Sequence, residues 1–245
     1  MVLERPQIQV VFITFLAVLC LVILLAGCSK SATLPESEMR EHAQAYLDAI
    51  ASGDASLAVS MMGEDSGARN NENCPAYRGL LTDEILRGSV ERISDGRVVE
   101  SRAIPSPGQK NPDGKVFNGT VDVAFSLAGD SHEAKLRYAY EDGRWVLIDG
   151  LAGTLSVHTH LSMSYVPFII AGVDADPARS PLPAHPCADS FMLFPAVYHV
   201  EPQVDPTWKP RSALTEDVSD PTGRDVAVLP QSGTYVEVDF EPQRQ

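Results

Sequence analysis

The chain has 245 residues, of which 44% are hydrophobic and 21% charged, so it is long enough and apolar enough to bury a core. Its 33 acidic and 19 basic residues give a formal net charge of −14 at pH 7. This charge argues against nucleic acid and anionic lipid headgroups as the main partner, because both require a basic surface.

The first predicted element is an uncharged apolar run from Val10 to Leu25, which follows Arg5. As a helix this run would be about 24 Å long, short of the ~30 Å hydrocarbon core of a bilayer. An apolar run of this length that ends in small residues is typical of an export signal, which takes no part in the mature fold.

The run ends in the motif Leu25-Ala26-Gly27-Cys28, which resembles the lipobox of bacterial lipoproteins. In that family the cysteine thiol receives a diacylglyceryl group and the chain is cut just before it. The resemblance implies a signal peptide over residues 1–27, lipidation of Cys28, and a location on the extracytoplasmic face of the cell membrane or envelope. The membrane is therefore an expected partner, because a pair of acyl chains anchors a protein stably.

Two alternatives to a cleaved lipoprotein remain open at this point. Residues 6–29 are just long enough to span a bilayer, which allows an uncleaved single-pass membrane protein. Ordinary secretion is the other alternative. Cleavage before Cys28 would remove one Glu and one Arg, so that the mature chain would keep its net charge of −14.

Two further cysteines, Cys74 and Cys187, lie in the exported part of the chain. An extracytoplasmic location permits their oxidation to a disulfide. Such a bond would close a long loop and stabilise the fold by roughly 4–5 kcal/mol on the chain-entropy model. Two separate thiols are the alternative, because the sequence does not give the distance between them.

The pattern of the exported part changes near residue 150, which predicts two domains. Residues 28–36 are small and polar and form the predicted tether. Residues 37–150 show helical periodicity followed by strand periodicity, whereas residues 151–245 are rich in proline and show short strands only.

The first domain begins with predicted helices. Thr33-Leu34-Pro35-Glu36 has the pattern of a capping box with Thr33 as the N-cap. The residues that follow at the spacing of one helical face are Met39, Ala43, Tyr46, Leu47 and Ile50. Gly53 can end this helix, Asp54 can cap a second short one, and Thr82 can begin a third.

Alternating apolar residues then predict a meander of strands. The first spans Ser89 to Ile104, the second is centred on residues 121–127, and the third on residues 134–141. Asp142-Gly143 is a strong signal for a tight hairpin, which leads into a last strand at residues 144–148.

This layout resembles the cystatin-like or nuclear-transport-factor-like fold of many bacterial lipoproteins. The motifs that carry the resemblance are residues 46–54 and the closing residues 142–147. The resemblance implies an α+β fold in which a curled, cone-like antiparallel sheet packs on N-terminal helices. Members of this family include isomerases, dehydratases and proteins without catalytic activity, so the fold alone does not decide the function.

The resemblance also places any ligand at the mouth of the cone. Tyr138 and Tyr140 share the apolar face of the third strand, so they are the candidates to donate hydrogen bonds to a ligand there. The alternative is that both are core residues with the hydroxyl at the rim. Asp122 has the opposite parity to Val121 and Val123 and is predicted to face solvent. No catalytic residue is therefore assigned.

The second domain is predicted to be a small all-β, sandwich-like domain. His158 and His160 are two residues apart on a predicted strand, a spacing compatible with metal binding. A third ligand would have to come from His185, His199 or Cys187. No second close pair completes the set, so we expect neither a metal nor another cofactor.

These features predict a membrane-anchored extracytoplasmic lipoprotein that is a non-catalytic binding or interaction module, not an enzyme. Its expected partner is an envelope protein or a small ligand, and not nucleic acid. A carrier of a small apolar ligand, or an isomerase-like or dehydratase-like enzyme, using the cone pocket is the alternative of a different class.

Overall fold

The computed structural model describes residues 34–63, 78–104, 108–111, 114–159, 168–175, 190–204, 208–210, 222–230, 233–238 and 240–242. Residues Met1–Leu34 and Pro35–Gln245 form two compact units. The predicted signal peptide, Cys28, Cys74 and Cys187 lie outside the described residues. Within the described ranges no helix is long and apolar enough to cross a membrane.

Three helices and sixteen strands are found in the described parts of the chain. The helices are α1 (Glu36–Ser52), α2 (Ala55–Ser60) and α3 (Asp83–Arg87). The strands are β1 (Glu91–Arg92), β2 (Ser94–Ala103), β3 (Gln109–Lys110), β4 (Val116–Phe117), β5 (Gly119–Leu127), β6 (Asp130–Glu141), β7 (Arg144–Asp149), β8 (Gly153–Thr159), β9 (Phe168–Ile170), β10 (Val173–Asp174), β11 (Ser190–Leu193), β12 (Ala196–Pro202), β13 (Trp208–Pro210), β14 (Arg224–Val228), β15 (Gly233–Val238) and β16 (Phe240–Pro242).

The predicted apolar face of α1 is buried, and its predicted end is confirmed. Gly53 adopts the left-handed conformation with φ 83° and donates its N–H to the Ile50 carbonyl at 3.1 Å. This conformation favours glycine because it has no Cβ. Asp54 then caps α2 by accepting from Leu57 N–H at 2.9 Å, and Thr82 caps α3 by accepting from Ile85 N–H at 3.3 Å.

The predicted start of α1 is wrong. The helix begins at Glu36, its N-cap is Pro35, and no side chain caps it. Glu36 does not turn back to the helix start as the third residue of a capping box would. Its carboxylate instead accepts from the Ser101 hydroxyl at 2.7 Å and from Ala103 N–H at 3.3 Å. The contact with β2 has therefore replaced the local cap.

The strands β2, β5, β6 and β7 form an antiparallel sheet in that order, which we call the N-terminal sheet. The predicted Asp142-Gly143 hairpin joins β6 to β7, and both turn residues have positive φ (51° and 80°). The α1 helix packs on β2 and β5. This arrangement of helices and antiparallel sheet is the coarse form of the α+β fold that the sequence predicts.

The predicted strand from Ser89 to Ile104 is divided at Ile93. Residues after Ile93 form β2 of the N-terminal sheet, whereas Glu91 and Arg92 form β1 and pair with Val197 and Ala196 of β12. One continuous segment thus contributes to two sheets.

Each outer edge of the N-terminal sheet is covered in part, and in a different way. On β2, the Gln44 side-chain amide donates to the Gly96 carbonyl at 3.0 Å and accepts from Val98 N–H at 3.3 Å. These bonds satisfy main-chain groups that an edge strand would otherwise expose. On β7, Gly63 N–H donates to the Leu147 carbonyl at 2.8 Å, next to a parallel bridge between Met62 and Leu147.

The second half of the chain is built from further sheets. Strands β1, β12, β9 and β10 follow each other in one sheet, in which β14 also pairs with β12. A second sheet has the order β11-β8-β15, with β15 parallel to β8. All other strand pairs among the described residues are antiparallel.

Candidate functional site

A cleft with a volume of about 870 Å³ opens beside the first turns of α1. One wall is α1 itself, which contributes Glu38 and His42. The opposite wall is β7 with the hairpin that precedes it, and residues 60–63, from the last residue of α2 onward, form the floor. The cleft has this position because α1 crosses the N-terminal sheet while the chain after α2 returns to the edge of β7.

His42 is the histidine of this cleft, and it contacts a buried tyrosine. Its Nδ1 lies 3.4 Å from the Tyr138 hydroxyl, and the two rings meet edge to face with centroids 5.5 Å apart. Partial burial lowers the pKa of His42 below its usual value, because a cation is costly to desolvate. Burial also raises the pKa of Tyr138. Both groups are therefore neutral near pH 7.

Four charged side chains line the cleft, two of them acidic and two basic. Glu38 and Glu141 are acidic, whereas Lys115 and Arg144 are basic. Glu38 precedes His42 by one helical turn, so the two side chains share one face of α1. The charges of these four side chains cancel, in contrast to the net charge of −14 for the whole chain.

A small polar network holds the loop that carries Lys115. The buried Asn111 accepts from Lys115 N–H at 2.8 Å through Oδ1, while its Nδ2 lies 3.4 Å from the carboxylate oxygens of Asp149. Arg137 binds the same carboxylate at 2.8 Å and places its guanidinium 5.7 Å from the centroid of the Phe117 ring. The β3–β4 loop is thereby tied to β6 and β7.

The apolar part of the cleft is made by Met61, Met62, Val116, Trp145, Val146 and Ile148. Methionine side chains are unbranched and polarisable, so they can adapt to differently shaped ligands. Trp145 also fixes the start of α1, because its indole N–H donates to the Pro35 carbonyl at 2.9 Å. The chain therefore enters the folded unit directly beside the cleft.

The two tyrosines named from the sequence lie behind this cleft. Tyr138 is fully buried between α1 and the sheet, and it reaches the cleft through His42. Tyr140 is half-buried and packs on Trp145 with ring centroids 4.9 Å apart. Asp122 pairs with Lys135 at 2.6 Å on the partly exposed face of the sheet.

The space between α1 and the N-terminal sheet is filled by side chains of the chain itself. The residues with no exposed surface there include Met39, Tyr46, Val121, Leu136, Tyr138 and Leu147. Tyr46 spans this interior, since its hydroxyl accepts from Leu151 N–H at 3.1 Å. The large cleft therefore lies at the edge of this interior and not within it.

Most of the other residues named from the sequence lie outside the described part of the chain. This applies to Cys28, Cys74, Cys187, His160 and His185, and for His158 only the main chain is described. His199 lies on β12 with each ring nitrogen within 2.8 Å of an oxygen, Asp225 Oδ1 for Nδ1 and the Thr222 carbonyl for Nε2. Among the described residues no cluster of metal-ligating side chains occurs.

His42 was not singled out by the sequence analysis. It borders the apolar face of α1, three residues after Met39 and four before Tyr46. The i, i+4 spacing of Glu38 and His42 was a signal that could have found the pair. Its contact with Tyr138, by contrast, joins residues 96 positions apart and has no local signature.

Comparisons with protein-family models, with curated proteins and with solved structures found no match.

Proposed function

We propose that this protein is a lipoprotein, tethered through Cys28 to the extracytoplasmic face of the cell membrane, and that it binds a partner in the cleft between α1 and β7. The observation that carries the binding role is the cleft itself, which is large and open and combines an apolar floor with charged walls. Such a combination of apolar surface and a few polar groups is typical of ligand sites.

The distance between the proposed anchor and the cleft supports the tether. Pro35, whose carbonyl accepts from Trp145 of the cleft, is the seventh residue after Cys28. A fully extended chain of that length spans at most about 25 Å. Lipidation of Cys28 would therefore keep the cleft close to the membrane surface, where it could meet envelope components. The acidic body would be repelled by anionic headgroups, which favours exposure of the cleft to a partner.

The proposal extends to the shape of the sheets in the two halves of the chain. We infer that the N-terminal sheet curls around α1 as a cone and that the second half is sandwich-like. Filling of the space under α1 by buried tyrosine, methionine and aliphatic side chains supports a structural role for that interior.

A non-catalytic role is favoured by the surroundings of His42. A general base usually has a group that orients it and raises its basicity. Among the described residues, the hydrogen-bond partner of His42 is the neutral hydroxyl of Tyr138, and burial lowers the pKa of the imidazole. This pair is suited to binding a neutral ligand.

Substitution of the proposed lipid carrier tests the location. Cys28→Ala is expected to yield an uncleaved chain without acyl groups, whereas the wild type partitions with membranes as a processed chain. Cys20→Ala is the matched control, because Cys20 precedes the proposed cleavage site and should not change processing. Unchanged processed size and unchanged acylation in Cys28→Ala would overturn the proposal.

A further inference from the structure

We propose that the occupant of the cleft is an extended polypeptide segment, which adds as a strand to the outer edge of β7 while His42 donates from Nε2 to one of its main-chain carbonyls. This inference rests on the proposed function and names the partner class of the same cleft.

The register of the β6–β7 hairpin defines the direction of the main-chain groups of β7. Glu141 and Arg144 close a two-residue turn and form a hydrogen-bonded pair. The next pair, Tyr140 with Trp145, is therefore of the non-hydrogen-bonded kind, so Trp145 directs its N–H and C=O away from β6. The contact from Gly63 N–H to the Leu147 carbonyl confirms that odd-numbered residues face this outer edge.

This edge differs from the opposite edge of the same sheet. Two side chains of α1 cover β2: Gln44 donates one hydrogen bond and accepts another, and Glu36 accepts one. At Trp145, none of the described residues bonds the outward main-chain groups, and Arg144, Trp145 and Val146 line the cleft. The edge of β7 is thus uncovered at Trp145, whereas residues 62–63 cover it at Leu147. An uncovered part of an edge strand is a template for a further strand, the principle of β-augmentation.

His42 supplies a donor on the facing wall. A buried hydroxyl needs an acceptor for its proton, and His42 Nδ1 is the described hydrogen-bond partner of the Tyr138 hydroxyl. We assign the tautomer in which Tyr138 donates to Nδ1, so the proton of the neutral ring is on Nε2, the ring nitrogen farther from Tyr138. The group that His42 offers a ligand is thus an N–H donor, which requires an acceptor oxygen.

Glu38 makes a neutral acceptor more favourable than an anionic one at this position. It lies one turn from His42 on the same wall, so a carboxylate bound by His42 would be repelled. Peptide carbonyls are neutral acceptors. The cleft is lined by equal numbers of acidic side chains (Glu38 and Glu141) and basic ones (Lys115 and Arg144), which also suits a peptide that carries side chains of both signs.

The length of the edge suits a short segment. Residues 62–63 pair with β7 at Leu147, so the open part of the edge that lines the cleft extends from Gly143 to Val146. At about 3.4 Å for each residue, three steps of antiparallel strand span roughly 10 Å, enough for about three or four residues of a peptide.

The test uses the full chain solubilised in detergent and a displayed library of unstructured ten-residue peptides. We expect enriched peptides to shift the amide resonances of residues 143–148 and the side-chain resonances of His42. The best peptide is then synthesised in two forms, each N-methylated at alternate residues. Strand addition uses the N–H groups of one parity only, so one form should lose binding and the other should retain it.

Substitutions at His42 separate the donor from a merely structural role. His42→Phe should weaken peptide binding by about three- to tenfold, the effect of one lost hydrogen bond. His42→Gln restores an amide N–H and should recover part of the loss. Arg97→Glu is the control, because Arg97 is exposed on β2 and does not line the cleft. Thermal unfolding of each variant shows whether the fold is intact.

The remaining outcomes overturn the inference, and each shows whether the proposed binding role of the cleft fails with it. Equal binding of both N-methylated forms, or no enriched peptide, excludes strand addition. If decanoate shifts the same resonances while peptides do not, the cleft binds a small apolar ligand, and the binding role stands without the peptide. If neither probe shifts them, the cleft is lost as the binding site as well.

Discussion

At the scale of single residues, both ring nitrogens of His199 lie within hydrogen-bonding distance of an acceptor oxygen. Nδ1 lies 2.8 Å from Asp225 and Nε2 lies 2.7 Å from the Thr222 carbonyl. A neutral imidazole can donate to only one of them, whereas the imidazolium donates to both. Asp225 and the Thr222 carbonyl therefore raise the pKa of His199, and Glu201 adds to this effect. The site lies at the surface, so its energetic effect is small and sensitive to salt.

The sign of the pH dependence follows from the raised pKa. The contribution of His199 to stability is complete below the pKa of the unfolded chain, about 6.5. It is lost as the pH rises through the folded-state pKa. We expect NMR titration to give a His199 pKa above this unfolded value in the wild type and a lower one in Asp225→Asn. A wild-type pKa at or below the unfolded value would contradict the double hydrogen bond.

At the scale of elements, Gln44 of α1 covers the β2 edge at Gly96 and Val98. Gln44→Ala would leave the Gly96 carbonyl and the Val98 N–H without their side-chain partner. Both groups are partly buried, so we expect a loss of about 1–2 kcal/mol in the free energy of unfolding. The uncovered edge should also increase self-association. Denaturant unfolding and light scattering measure the two effects.

A matched control distinguishes this cover from the helix surface in general. Glu41→Ala changes an exposed side chain on α1, where a substitution usually alters stability by less than about 0.5 kcal/mol. Equal stability of Gln44→Ala and Glu41→Ala would show that the edge does not depend on the glutamine.

Elements with local signals were predictable, whereas pairings between distant segments were not. The face of α1, its end at Gly53 and the Asp142-Gly143 turn follow from periodicity and turn chemistry. The start of α1 was placed wrongly because Glu36 bonds β2 and not its own helix. The pairing of β1 with β12 and the parallel pairing of β15 with β8 depend on contacts that no local pattern encodes. The same reason explains why the contact of His42 with Tyr138 was not predicted.

At the scale of the whole molecule, both halves of the chain contribute to shared structure after residue 35. β1 lies in the sheet of β12, and the Tyr46 ring of α1 meets Phe194 edge to face at 6.3 Å between centroids. Tyr46 also accepts from Leu151 N–H. Residues 35–245 form one compact unit, and we expect them to unfold in one cooperative transition.

Two probes can test this cooperativity. Fluorescence of Trp145 in a Trp208→Phe variant reports on the N-terminal sheet, and circular dichroism reports on all strands. We expect coincident transitions, and a loss of about 1–3 kcal/mol in Tyr46→Phe, because Leu151 N–H would be left unpaired in the interior. Two separated transitions would instead support independent domains that meet near residue 150, as the sequence pattern predicts.

The most direct test of the whole account is the intact mass of the natural protein extracted from membranes. Our account predicts a chain that begins at Cys28 and carries a mass increment of at least a diacylglyceryl group on that residue. A chain that begins at Met1, or one that begins at residue 28 without acyl groups, would contradict it. The cleft would then lose the tether that keeps it at the membrane surface.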